Sequence, residues 1–67
     1  MNWLDRVIKE RDELNEKIEK LKSFLNTAPT NPNVKPYGML LLREQLLAMY
    51  RYRTVLEKRI EYEENNK

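Results

Sequence analysis

Apolar residues recur along the first third of the chain with the spacing of an amphipathic helix. From residue 3 to residue 25 they alternate in steps of three and four, and the pattern breaks once, at Arg11. The stripe consists of Leu4, Val7, Leu14, Ile18, Leu21 and Leu25. We therefore predict a helix over residues 3–25 with one narrow buried face, and Asn2 is placed to cap it.

A second helix is predicted over residues 39–62, with Pro36 or Gly38 near its start, and its apolar surface is about twice as wide. One row of this surface holds Leu42, Leu46, Met49, Leu56 and Ile60. A neighbouring row holds Leu41, Ala48, Tyr52, Val55 and Tyr62. Because a helix advances roughly 100° per residue, the two rows cover about half of the circumference, which is more than one narrow stripe can bury. We expect the second row to face another chain.

The segment between the two helices, residues 26–38, is predicted to be a loop because it contains all three prolines and the only glycine of the chain. This loop is longer than most connections between packed helices, so it either covers part of the protein or has a function. The expected fold is all-α: one domain over residues 1–67, an antiparallel two-helix hairpin that assembles into a homo-oligomeric bundle of four helices or a larger ring.

The small size of the chain also favours self-association. A monomer below about 70–80 residues generally needs a disulfide, a metal or a partner for stability. This chain has 67 residues and contains neither cysteine nor histidine, so a partner chain is the support that remains. The same absences argue against thiol, histidine and Cys/His zinc chemistry, so we expect a protein that is not an enzyme and needs no cofactor or metal.

The location of the protein is predicted from what its sequence lacks. No apolar run approaches the roughly 20 residues of a membrane span. The N-terminal stretch MNWLDRVIKERDEL carries acidic residues where a signal peptide has an apolar block. We expect a soluble, cytoplasmic protein.

Aromatic and basic residues alternate in the segment MYRYRTVL, residues 49–56. Residues two apart lie on nearly opposite sides of a helix, so the four side chains cannot form one patch. Tyr52 and Arg53 are predicted to face protein, whereas Tyr50 and Arg51 border water.

The two arginines that interrupt the apolar stripes are candidates for binding an anion. In the antiparallel hairpin, Arg11 is predicted to lie at about the level of residues 53–55. Burying two guanidinium groups near each other is costly unless anions neutralise them. The anions could be acidic side chains such as Glu57 in an interhelical salt bridge, or an external phosphate that Arg11 and Arg53 bind beside the rings of Tyr50 and Tyr52.

Four further residues are candidate ligand contacts. Gln45 and Arg59 would form a symmetric polar pocket if a twofold axis brought two copies together, and such a pocket suits phosphates and flat rings. The alternatives are an interface hydrogen bond for Gln45 and a helix-end cation for Arg59. Lys35 and Tyr37 could close over a ligand from the loop, although Tyr37 also suits a hydrophobic plug, as Trp3 suits the core or an interface.

The pattern RVIKERDELNEKIEKLKSFLN, followed by a loop and LLREQLLAMYRYRTVLEKRI, resembles a family of very small phage-encoded helical-hairpin proteins. Their relatives include the anti-CBASS and anti-Thoeris sponges. The resemblance implies an oligomer that sequesters a nucleotide messenger of bacterial immunity in the infected cell, either a cyclic oligonucleotide or an ADP-ribose-derived signal, and does not cleave it. The expected ligand contacts are Arg11, Lys35, Tyr37, Gln45, Tyr50, Tyr52, Arg53 and Arg59.

Two other functions compete with this hypothesis. A structural or adaptor hairpin would use the wide apolar face of the second helix to bind a protein. A nucleic-acid binder would use the basic residues of that helix, but nearby glutamates dilute their field and the net charge is only +2. We rank nucleic-acid binding last.

Overall fold

Two helices make up the part of the chain that the computed structural model describes, which is residues 3–27 and 33–65. Helix α1 runs over Trp3–Thr27 and helix α2 over Pro36–Asn65. They pack against each other along their length as a hairpin, and the described residues contain no strand. The predicted all-α hairpin is therefore confirmed.

The core of the hairpin is a single line of aliphatic side chains between the two helices. Its buried members are Val7, Leu14, Ile18, Leu56 and Ile60. Partly buried side chains pack against this line from both helices: Leu4, Ile8, Leu46, Met49 and Tyr50. The three-and-four stripe predicted for the first helix and the first row predicted for the second are thus the surfaces that meet.

Helix α1 continues two residues beyond its predicted end. It finishes at Thr27, whose Oγ1 donates a hydrogen bond to the carbonyl of Phe24 at 3.0 Å. The predicted capping residue Asn2 and residues 28–32 of the predicted loop lie outside the described residues.

Helix α2 begins at Pro36, which is one of the two residues expected near its start and lies three residues before the predicted range. Proline suits the first helical position because its φ angle is already helical and it has no N–H to leave unpaired. The carbonyl of Lys35 accepts the first helical hydrogen bond, from the N–H of Met39 at 3.0 Å. The prediction of a loop over residues 26–38 was therefore wrong at both ends, and α2 also extends past residue 62 to Asn65.

The second apolar row of α2 lies outside the contact between the helices. Its large members are about half exposed or more: Leu41 50%, Tyr52 45%, Val55 52% and Tyr62 66%. Ala48 is exposed as well. One hairpin therefore covers only part of the apolar surface of α2, as the pattern predicted.

Neither described helix has the length and apolar character needed to cross a membrane. Within residues 3–27 and 33–65 there is also no group of three acidic, histidine or cysteine side chains arranged to hold a metal ion.

Candidate functional site

A cleft at the end of the hairpin that carries the start of α1 combines an aromatic ring with three cations. It encloses about 380 Å³. We call it the Trp3 cleft, and its lining residues are Trp3, Arg6, Val7, Lys9, Glu10, Glu13 and Arg59. All of these except Arg59 come from the first three turns of α1.

Helix periodicity gathers the α1 residues of the Trp3 cleft. Trp3, Arg6, Glu10 and Glu13 follow one another in steps of three, four and three, so they lie on one side of α1. Arg59 enters from α2, and its guanidinium carbon lies 5.2 Å from the centre of the Trp3 ring. This separation is within the range of a cation–π interaction. The contact joins the two helices at the edge of the cleft.

The Trp3 cleft can bind an anion with a flat ring. The Trp3 side chain is 54% exposed, so a large part of it remains accessible to a ligand. The guanidinium groups of Arg6 and Arg59 can each donate two parallel hydrogen bonds to a phosphate, and Lys9 adds a point charge. Glu10 and Glu13 reduce the local positive charge and can accept hydrogen bonds from hydroxyl or amino groups.

A second groove lies at the opposite end of the hairpin, where α2 begins, and encloses about 550 Å³. We call it the Tyr37 groove. It brings together three of the residues predicted from the sequence, Lys35, Tyr37 and Gln45, and its wall is mostly apolar. Its remaining lining residues are Asn33, Val34, Gly38, Leu41 and Leu42. The Tyr37 side chain is 69% exposed, so it does not plug the core of a single hairpin.

Arg53 makes three contacts within the hairpin. Its Nη1 donates a hydrogen bond to Oδ1 of Asn15 at 3.1 Å, and its Nε lies 3.6 Å from Oε1 of Glu57. The guanidinium also lies over the ring of Tyr50, at 5.1 Å from the ring centre. These contacts favour a structural role for Arg53, but not through the predicted interhelical salt bridge: the ion pair with Glu57 lies within α2, and the contact with α1 is the hydrogen bond to Asn15.

Arg11 and Arg53 do not share a common partner among the described contacts. Arg11 pairs with its neighbour Asp12, with Nε and Oδ1 3.0 Å apart. Arg53 reaches Asn15, one turn further along α1. Side chains tilt toward the N-terminus of their own helix, and in an antiparallel pair this tilt directs Arg53 toward the C-terminal end of α1, which is the direction from Arg11 to Asn15.

Of the two neighbouring tyrosines, Tyr50 departs from the sequence prediction, whereas the exposure of Tyr52 in a single hairpin is what its place in the second row of α2 implies. Tyr50, which was expected to border water, is half-buried and packs against the core. Tyr52, which was expected to face protein, is 45% exposed because α1 does not cover its row. Arg51 is exposed, as predicted.

Trp3, Arg6 and Lys9 were not among the predicted ligand contacts. Trp3 was expected to be a core or interface ring, so it was not considered as a ligand contact. A tryptophan followed three positions later by a basic residue does not by itself distinguish a ligand site from an ordinary helix start. The sequence did contain a signal for the cleft. One aromatic and three charged residues, at positions 3, 6, 10 and 13, lie on one side of the helix beside the apolar stripe. Arg59 had been predicted, but for a different pocket.

The fold and its clefts define a class: a small two-helix hairpin that presents aromatic rings beside cations at its surface. A family model described as Sequestin matches residues 1–62, and the chain belongs to the Sequestin family. No curated protein and no solved structure matches the chain significantly.

Proposed function

We propose that this protein is a phage anti-defence sponge, a non-enzymatic protein that binds a nucleotide second messenger of bacterial immunity and keeps it from its receptor. The Sequestin family name, which refers to sequestration, is in keeping with this role. The observation that carries the proposal is the guanidinium of Arg59 held 5.2 Å from the Trp3 ring, in a cleft that also contains Arg6 and Lys9. The resemblance of the hairpin to the anti-CBASS and anti-Thoeris sponges supports the same conclusion.

The chemistry of the Trp3 cleft fits a nucleotide with few phosphates. An exposed indole offers a stacking surface to a base, and such stacking contributes about 1–3 kcal/mol per base. Three cations and two carboxylates leave a formal charge of about +1 in the lining, which favours a ligand with one or two phosphates over a long polyanion. Cyclic dinucleotides and ADP-ribose-derived signals both have this character, and the carboxylates can accept hydrogen bonds from ribose hydroxyls.

Sequestration requires affinity but no chemical step. A chain without cysteine or histidine lacks thiol nucleophiles and imidazole general bases, which suits a protein that leaves its ligand intact. The messenger is made in the cytoplasm of the infected bacterium, so we place the protein there.

The experiment is calorimetric titration of the purified protein with cyclic dinucleotides, cyclic trinucleotides, ADP-ribose and its cyclic isomers. Trp3 is the single tryptophan of the sequence, so quenching of its fluorescence reports binding in the cleft. Heat denaturation of the complex should then release the nucleotide chemically unchanged, as measured by mass spectrometry.

Arg59→Gln tests whether the cleft holds the ligand. It removes one charge-assisted contact, and we expect affinity to fall about 10- to 100-fold, since such hydrogen bonds contribute about 1.5–3 kcal/mol. Arg43→Gln is the matched control, because Arg43 is exposed on α2 and lines neither cleft. Equal losses in both variants would contradict the assigned site. Failure of every nucleotide to bind would contradict the sponge and favour the adaptor hairpin.

A further inference from the structure

We propose that two copies of this chain pair in antiparallel fashion through α2, and that each ligand site is completed by the Trp3 cleft of one copy and the Tyr37 groove of the other. The location of the ligand in this inference rests on the proposed sponge function. The pairing itself rests on the surface of α2.

The exposed row of α2 has the spacing of a coiled-coil contact. Adding Gln45 and Arg59 to the row gives an unbroken alternation of four- and three-residue steps from Leu41 to Tyr62. We call this row the seam face. Its large apolar members remain half exposed in the single hairpin, and a matching helix would cover them.

The direction of the seam face suits a second hairpin. On a helical wheel, its centre lies roughly 110° around α2 from the side that packs on α1. In a four-helix bundle each helix contacts two neighbouring helices, and the directions from it to these two neighbours differ by about this angle. A second copy can therefore pack on the seam face without displacing α1.

The charge within the seam face, that of Arg59, favours the antiparallel direction. In a parallel pair Arg59 would lie opposite its own copy, and two like charges in a contact layer are destabilising. In an antiparallel pair centred near Tyr52, Arg59 lies level with Gln45 of the second copy, whose amide oxygen can accept its hydrogen bond. The exposed flanking residues Glu44 and Lys58 then also face each other across the pair, twice by symmetry, while Arg51 lies between them on the same flank and comes near its own copy.

Antiparallel pairing brings the two clefts together. Arg59 lines the Trp3 cleft and Gln45 lines the Tyr37 groove. On one chain they are 14 residues apart, about 21 Å along α2, but across the pair they are level. Each dimer would thus have two equivalent sites, where a ligand contacts the ring and cations of one copy and Lys35 and Tyr37 of the other.

Engineered cross-links test the pairing without any ligand, since the chain has no cysteine of its own. In an antiparallel pair, neither the Leu41→Cys variant alone nor the Tyr62→Cys variant alone should form a disulfide between its two chains, because the two copies of either position are far apart. An oxidised mixture of the two variants should give a cross-linked dimer, because residues 41 and 62 are level across the pair. Cross-linking of each variant with itself, or no dimer in solution, would overturn the antiparallel pair.

Mixing of two defective variants tests the shared site. Tyr37→Ala and Trp3→Ala each damage both sites of their own dimer, and both residues are mostly exposed, so the hairpin should still fold. In a mixed dimer one site keeps both rings. The tryptophan fluorescence of the Tyr37→Ala chain alone should be quenched little by the nucleotide that binds the wild type. Addition of the Trp3→Ala chain, which has no tryptophan, should restore the quenching.

Random mixing should recover roughly a quarter of the wild-type sites, since half of the dimers are mixed and each has one intact site of two. Unrestored binding in a mixture that does form mixed dimers would overturn the shared site. If the wild type binds no nucleotide, the sponge function fails, while the cross-linking result still decides the pairing.

Discussion

The guanidinium of Arg53 on α2 donates a hydrogen bond to the side-chain oxygen of Asn15 on α1, across 3.1 Å. This polar contact lies at a largely apolar junction of two helices. A buried aliphatic line alone tolerates sliding by a turn, because leucine and isoleucine fit several positions. A hydrogen bond between two particular side chains is lost when the helices slide, so we expect the contact between Asn15 and Arg53 to favour this register of the hairpin.

A double-mutant cycle with Asn15→Ala and Arg53→Ala should detect this bond. We expect a coupling of about 0.5–1.5 kcal/mol in the free energy of unfolding, measured by urea denaturation at one protein concentration. Arg51→Ala is the control, because Arg51 is exposed and should not couple to Asn15. Additive effects of the two substitutions would show that the contact does not hold the register.

The same variants separate structure from ligand binding at Arg53. Arg53 was predicted from the sequence to contact the ligand, and nucleotide titration of Arg53→Ala still tests that prediction. Because Arg53 contacts Asn15, Glu57 and Tyr50 within the hairpin, we expect Arg53→Ala to lower the free energy of unfolding by more than it lowers the binding free energy of the nucleotide. A loss of affinity comparable to that of Arg59→Gln, with stability retained, would instead make Arg53 part of the site.

Leu56→Ala should be strongly destabilising. Leu56 is completely buried in the core, and such truncations cost about 2–5 kcal/mol. Leu47→Ala is the same change at a side chain that is 55% exposed and should have a much smaller effect. Thermal denaturation followed by circular dichroism compares them, and similar melting temperatures would contradict the assigned core.

The sequence was most informative where one physical signal dominated. The three-and-four spacing of Val7, Leu14 and Ile18 is enough to predict a buried stripe, because burial of apolar area decides which face turns inward. The ends of the helices were less predictable. Prolines mark both a loop and a helix start, and only the backbone shows that Pro36 begins α2 rather than preceding it.

Gly38→Ala should stabilise the protein. Gly38 was assigned to the loop from its composition, but it lies within α2, and a Cβ atom added there would meet nothing within 4 Å. Its φ angle is not positive, so alanine fits the backbone without strain. We expect a gain of about 0.5–1 kcal/mol, measured as a higher midpoint of thermal unfolding. A lower midpoint would mean that another chain approaches the backbone closely at this position.

Val55→Glu should weaken self-association without unfolding the hairpin. Val55 lies on the seam face and is 52% exposed, so the single hairpin should accommodate the charge, whereas a packed seam would have to bury it. Leu47→Glu is a matched control, because Leu47 is similarly exposed but lies off the seam face, roughly 110° around α2 from its centre. Sedimentation should give a lower mass for Val55→Glu alone. Equal masses for the two variants and the wild type would contradict a contact through Val55.

The candidate site was less predictable than the fold because its parts lie far apart in the sequence. Arg59 follows Trp3 by more than fifty residues, and only the register of the hairpin brings them together. Lys35, Tyr37 and Gln45 are closer in sequence, but Lys35 and Tyr37 were assigned to the loop and Gln45 to a pocket with Arg59, so their grouping became visible only when α2 was found to begin at Pro36. Side-chain contacts such as those of Arg53 depend on which partner is within reach, which apolar spacing does not specify.

Glu13→Gln should strengthen the binding of an anionic ligand. Glu13 lines the Trp3 cleft among three cations. Its exposed carboxylate would repel the phosphate of a ligand but would not occupy the space that the ring of the ligand needs. Removal of this charge should raise affinity about two- to fivefold at low salt, in line with the modest strength of exposed charge interactions, and the gain should shrink as salt is added. Glu16→Gln is the control, because Glu16 is exposed on the same helix outside the cleft. Reduced affinity in Glu13→Gln alone would show instead that the carboxylate accepts a hydrogen bond from the ligand, which would identify Glu13 as a contact to a hydroxyl or amino group.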